Sequence, residues 1–78
     1  MIKIIYQTKN FQIIKTRRDF IVRRKDNLYN HAHFTLLNEA IRFVKLIENK
    51  KLPYSDYWKH QAERLLTIEE YNTLISYV

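Results

Sequence analysis

The sequence predicts an α+β domain, with three or four antiparallel strands followed by three helices. Three observations predict it. Residues 1–24 run in short β-branched and aromatic stretches broken by polar turns. Residues 35–49 carry apolar side chains at intervals of three and four, the repeat that lines one side of a helix. Residues 55–78 carry two helix-start signals, Ser55 and the run Thr67-Ile68-Glu69-Glu70. The 78 residues form one domain, since a chain of this length closes a single core. Within it, residues 1–34 make a basic sheet region, 35–49 a central helix, and 55–78 a C-terminal helix pair.

The strands come first. Residues 1–6, 11–16 and 19–24 read as strands, joined by Thr8-Lys9-Asn10 and by Thr16-Arg17-Arg18-Asp19. Glycine is absent from the chain, so Asn10 is the residue expected at positive φ in the first turn. If Thr16 faces Asp19, Ile14 lies opposite Ile21 on one face, while Ile13 with Val22 and Lys15 with Phe20 share the other. Helices can cover only one face. The uncovered one is expected to show a small apolar stripe around Ile14 and Ile21, flanked by Arg23, as a contact surface for a partner or a second copy. His31-Ala32-His33-Phe34 reads as a short fourth strand that points both histidines to one side.

In the central helix, Leu36, Leu37, Ala40, Ile41, Val44 and Ile47 define the buried side, widened by Phe43 and Leu46. Thr35 is placed to cap it. Asn38, Glu39, Arg42, Lys45 and Glu48 are left for water, with Glu39 and Arg42 three apart as a weak pair. Pro53 ends the helix by disfavouring helical geometry at Leu52. The second helix runs from the Ser55 cap to about Leu66, with Trp58, Ala62 and Leu65 inside. Tyr54, Tyr57 and Trp58 form an aromatic cluster at its start, suited to packing and, in a sharper reading, to base stacking. Thr67 and Glu70 form a capping box, with Leu66 and Tyr71 as its staple. The third helix is then expected to bury Ile68, Tyr71, Leu74, Ile75 and Val78.

Charge is unevenly distributed. Residues 1–25 hold eight Lys and Arg against one acid, Asp19, whereas residues 26–78 hold six bases against seven acids. The whole excess of positive charge falls in the strand region, and clustered cations attract polyanions. Lys15, Arg17, Arg18, Arg23, Arg24 and Lys25 are the expected nucleic-acid contacts. Ile14, Ile21, Tyr54 and Tyr57 are the expected partner interface.

Other chemistries are excluded or weak. Without glycine there is no phosphate loop of the Walker or dinucleotide type. Without cysteine there are no disulfides, thiol nucleophiles or thiolate metal sites, which fits a reducing compartment. His31 and His33 have chelate spacing, and His60 is a third histidine, but nothing in the sequence brings His60 to the pair. A His31 or His33 base oriented by Asp26 can be drawn, yet so small a domain rarely encloses a water-excluding pocket. The expectation is a non-enzymatic protein with no catalytic residues, cofactor or metal. Residues 65–78 contain no Lys or Arg and begin on two glutamates, so the last two helices are not a helix-turn-helix reader. No apolar run reaches the length of a membrane span and no signal peptide is expected, so the protein is read as cytoplasmic, with no membrane partner.

Two resemblances complete the reading. Phe34, Thr35, Glu39 and Ala40 make an FTxxxEA start to the central helix after a run of strands. Residues 1–48 thereby resemble AP2-like or arm-binding three-stranded domains, which lay a basic sheet in DNA. HAHF, AIRFVKLIENKKLP and the final EEY make the whole chain similar to small uncharacterised phage and prophage proteins of low-GC Gram-positive bacteria. The second resemblance implies a mobile-element protein in a bacterial host cell. The leading expectation is a binding protein that engages nucleic acid or a nucleoprotein through its basic hairpin. The alternative is a phage-type inhibitor or adaptor docked on a host protein, anti-defence in role and anti-CRISPR-like, and a homodimer is compatible with either.

Overall fold

Four short antiparallel strands, β1 (Lys3–Gln7), β2 (Phe11–Lys15), β3 (Phe20–Arg24) and β4 (His31–Phe34), form one sheet in sequential order. Three helices follow: α1 (Leu37–Glu48), α2 (Asp56–Leu65) and α3 (Ile68–Ser76). This computed structural model describes residues 3–27, 29–51 and 55–76. Leu52, Pro53, Tyr54 and Val78, to which the sequence assigned roles, lie outside the described residues.

Register follows from the turns. Thr16 donates its N–H to the Asp19 carbonyl at 2.9 Å, and Ile14 then pairs with Ile21, Ile13 with Val22, and Lys15 with Phe20, as expected. The first turn closes differently. Thr8 donates to the Phe11 carbonyl at 2.8 Å and its hydroxyl accepts the Phe11 N–H at 3.2 Å, so Asn10 needs no positive φ. Among the described residues only Lys50 has one, at 59°.

Lys50 marks the end of α1. Its N–H reaches the Ile47 carbonyl and that of Lys51 reaches Leu46, the paired bonds of a Schellman motif. That position ordinarily takes glycine, and a lysine there costs about 1–2 kcal/mol. At the other end, Thr35 does not cap the helix. The N-cap is Leu36, with no side-chain cap bond, because β4 runs through Phe34 and the chain needs Thr35 and Leu36 to bend. Leu36 is left 58% exposed and does not join the core.

All three helices lie on the face of the sheet that carries Phe11, Ile13, Val22, Ala32 and Phe34. The buried stripe of α1 is Ala40, Phe43, Val44 and Ile47. Phe43, expected only at the margin, is its centre, 4.8 Å from the Phe34 ring. Trp58 of α2 sets its edge against both rings at 5.7 and 5.9 Å, a favoured arrangement for aromatic quadrupoles. The Arg42 guanidinium stacks over Trp58 at 5.9 Å and forms no ion pair with Glu39 among the described residues.

Both C-terminal helix starts are as expected. Ser55 accepts the Trp58 N–H at 3.2 Å, and Thr67 and Glu70 exchange their reciprocal bonds at 3.0 and 3.2 Å. The face of α3 is not. Leu74 is buried and Tyr71 half-buried, but Ile68 is 81% and Ile75 44% exposed. The sheet is only four strands wide and α1 and α2 already cover it, so α3 finds little surface to bury more than one stripe.

Two tertiary links were not foreseen. Glu48 is not left to water: it accepts from the Thr8 hydroxyl at 2.6 Å and from Asn10 at 3.3 Å, tying the end of α1 to the first turn. The outer edge of β4 is met by α2. The Gln61 side-chain oxygen accepts the His33 N–H at 2.9 Å, and the Tyr57 hydroxyl donates to the His33 carbonyl at 2.9 Å.

Candidate functional site

Strand alternation places Gln12, Ile14, Ile21, Arg23, His31 and His33 on the face opposite the helices. Ile14 and Ile21 pair there as predicted, yet the exposed apolar stripe does not form. Ile14 is 5% exposed, because β2 is an inner strand and Ile4 and Ile21 flank it on either side. In the next row the Arg23 Nε donates to the Gln12 oxygen at 2.6 Å, and Gln12 is itself nearly buried. Ile4 is 44% exposed at the end of that row and Ile21 half-buried, so the face is mixed polar and apolar and carries no continuous stripe.

The six cations assigned to nucleic acid do not share one surface. Arg17 and Arg18 stand exposed at the β2–β3 tip. The Thr16 hydroxyl fixes that turn, accepting the N–H groups of Arg18 and Asp19 at 3.2 and 3.0 Å and donating to the Asp19 carboxylate at 2.6 Å. Among the described residues neither arginine side chain meets a carboxylate. Lys15, next to the tip, faces the helix side, where its ammonium lies 4.9 Å from the Phe20 ring and donates to the Thr16 carbonyl. Arg23 is on the opposite face and half-buried.

Arg24 is withdrawn altogether. Its neighbour in the pleat is Phe11 of the core, so it points to the helix side, where its side chain is only 12% exposed. There it binds Asp26 through two bonds of 2.7 and 2.8 Å and also binds Glu70. The hydrogen bonds with Asp26 hold the guanidinium pKa above its ordinary value and the Asp26 carboxyl below its own. Lys25 lies at the far end of β3, about 17 Å from the tip over five strand residues. Consecutive residues of a strand cannot present one charged face, which the linear cluster concealed.

Lys25 and Arg24 instead border a cleft of about 650 Å³ with Lys9, Lys50, Asp26, Glu48, Glu69 and Glu70 over a floor of Phe11, Ile47, Leu66 and Leu74. Four cations face four carboxylates there. Their formal charges cancel, so the cleft has no excess of positive charge to draw in a polyanion.

The histidines are the feature that sequence spacing located best. His31 and His33 share the open face, with ring centroids 4.9 Å apart in an edge-on arrangement. His33 Nδ1 lies 3.0 Å from the Asp19 carboxylate, and His31 Nδ1 lies 2.8 Å from the Tyr29 carbonyl. The partner of His33 is thus Asp19 and not Asp26, which Arg24 occupies. The bond from Thr16, followed by that from His33 and its charge, lowers the Asp19 pKa against the opposing effect of burial. His60 takes no part: it sits on α2, its side chain 71% exposed, 3.6 Å from Glu63. No group of three or more ligand side chains that could hold a metal converges among the described residues.

The Asp19 shift has a consequence for stability. The folded-state value is below the ordinary 3.8, so the contribution is present above that value and lost as pH falls through the lowered one. Wild type should therefore lead Asp19→Asn in denaturant midpoint at neutral pH, and the lead should shrink below about pH 4. Equal midpoints at neutral pH would remove Asp19 from the turn's stability.

Of the expected partner residues, Tyr57 is 54% exposed but spends its hydroxyl on His33, and Tyr54 lies outside the described residues. Sequence reading missed Ile68 and Ile75, which are exposed one above the other on α3. Their spacing of seven was visible, but it looked like core.

The class defined by these features is an α+β domain with a four-stranded antiparallel sheet backed by three helices and a polar, partly cationic open face. No protein-family model, curated protein or solved structure matches the chain. No described helix is long and apolar enough to cross a membrane.

Proposed function

We propose that this is a non-enzymatic binding protein, encoded by a phage or mobile element and working in the bacterial cytoplasm, that engages nucleic acid or a nucleoprotein through its β2–β3 hairpin. The observation that carries this reading is the tip itself. Two exposed guanidinium groups, unpaired by carboxylates among the described residues, stand on a turn braced by Thr16 and Asp19. Unpaired arginines on a braced turn suit phosphate, because no described carboxylate competes for them and the backbone that carries them is already held. Lys15 is within reach of the same end, and Arg23 extends the contact along the open face, with only its Nε–H engaged among the described residues. Arg24 and Lys25 belong to the mixed cleft and drop out of the proposed set.

So few phosphate contacts give modest, salt-sensitive and sequence-tolerant binding. Fluorescence anisotropy with random duplex and single-stranded oligonucleotides across a salt series tests it. Replacing Arg17 and Arg18 by alanine should reduce the slope of log K against log salt by about 1.8 for duplex. Replacing Lys9 and Lys25 should leave it nearly unchanged. An unaltered slope in the Arg17/Arg18 variant rules the hairpin out as the contact.

A second reading, an inhibitor or adaptor docked on a host protein, is favoured by α3. Ile68 and Ile75 expose an apolar line there that the protein's own core does not use. One stoichiometric protein partner, lost on changing Ile68 and Ile75 to serine and unaffected at Arg17 and Arg18, would select this reading over the first.

A further inference from the structure

His31 and His33 are each held by an oxygen at the same ring nitrogen. The Tyr29 carbonyl and the ionised Asp19 carboxylate can only accept, so each neutral imidazole carries its proton on Nδ1 and its lone pair on Nε2. That is the tautomer a histidine needs to ligate a metal through Nε2. A backbone carbonyl or a carboxylate on the other nitrogen is the support that metal-binding histidines ordinarily have. Both supports occur here on residues two apart, side by side on a face that no helix covers.

We propose that His31 and His33 form a two-histidine chelate for a borderline divalent transition metal of the zinc, nickel or copper type. Spacing agrees with this. An ion about 2.0–2.1 Å from each Nε2 sits about 3.2 Å from each ring centroid, so two imidazoles on a tetrahedral ion have centroids about 5.2 Å apart. The observed separation is 4.9 Å. Arg23, the cross-strand neighbour of His31, is the one cation facing the pair from β3, and its Nε is turned to Gln12 on the far side. Asp19 supplies a compensating negative charge beside His33.

Among the described residues two side chains stand together as ligands, and water completes the coordination. Binding is far weaker than at a closed four-ligand structural site. Asp19 acts as a positioning residue: it fixes the His33 tautomer and ring orientation without touching the ion. This inference does not rest on the nucleic-acid reading, since its ligands His31 and His33 play no part there, although Arg23 and Asp19 border both surfaces.

The test is calorimetric titration of zinc and nickel chloride into metal-free protein near neutral pH, with long-range ¹H–¹⁵N spectra of the imidazoles in the same samples. One ion per chain should bind, and the Nε2 resonances of His31 and His33 should shift while those of His60 stay. His31→Gln and His33→Gln should each weaken binding at least tenfold, Asp19→Asn about tenfold, and His60→Gln not at all. The spectra of the wild type decide the matter even if a variant folds poorly. Unshifted Nε2 resonances at millimolar zinc, or equal loss of binding in His60→Gln, would overturn the chelate.

Discussion

Phe34→Ala is expected to remove a large share of the protein's folding stability. Phe34 is 1% exposed and sits where the sheet meets both covering helices, with Phe43 of α1 at 4.8 Å and Trp58 of α2 at 5.7 Å. Truncating a buried phenylalanine costs about 3–5 kcal/mol, part of it transfer and part the cavity that remains. A chain of this length has roughly 4–12 kcal/mol to lose at the usual stability per residue. The cavity cannot readily collapse, because the neighbours that would fill it are rings set edge-on to one another. A melting temperature lowered by at least about 12 °C follows. Ile68→Ala is the matched comparison: at 81% exposure it should change stability by no more than about 0.5 kcal/mol. Circular-dichroism melts of the pair check both, and similar shifts for the two would mean that α3, and not the sheet junction, holds the core.

That contrast marks how far the sequence was legible. The hairpin register could be read because a four-residue turn between two β-branched runs leaves little choice: once Thr16 meets Asp19, Ile14 must meet Ile21. The caps at Ser55 and Thr67 could be read because their bonds are local. Which apolar stripe of a helix is buried depends on elements elsewhere. In α1 two overlapping stripes fit the pattern, and the chosen one follows Phe43 because Phe34 and Trp58 converge on it. In α3 the sequence offers Ile68, Tyr71, Leu74 and Ile75, of which Leu74 is buried and Tyr71 packs half-buried against the core, while the two isoleucines stay exposed.

The candidate site follows the same division. His31 and His33 on one side of a strand, and Arg17 and Arg18 at a tip, are consequences of local geometry. The fate of Arg24 is not, since Glu70 is remote in sequence and was already assigned to a cap, which it makes while also binding the guanidinium. A run of cations shows how much charge a segment carries. Pleat and partners decide how much of it faces outward.

Gln61→Leu is the substitution expected to disturb the sheet without touching its core. Gln61 is 4% exposed, and its oxygen takes the His33 N–H that would otherwise face outward from the edge of β4. Leucine fills a similar volume but accepts nothing, and an unsatisfied buried N–H costs about 1–3 kcal/mol. The effect reaches beyond stability. Tyr57 and Gln61 are one turn apart on α2 and meet the carbonyl and N–H of a single residue, standing where a fifth strand would bond. Losing half of that cover turns β4 towards a free edge, the kind that pairs with another chain. The variant should have a lower urea midpoint, faster hydrogen exchange at the His33 amide, and concentration-dependent sedimentation. Gln61→Glu keeps an acceptor at that position and should recover the His33 protection. Unchanged exchange at His33 in Gln61→Leu would show that water serves the edge as well as α2 does.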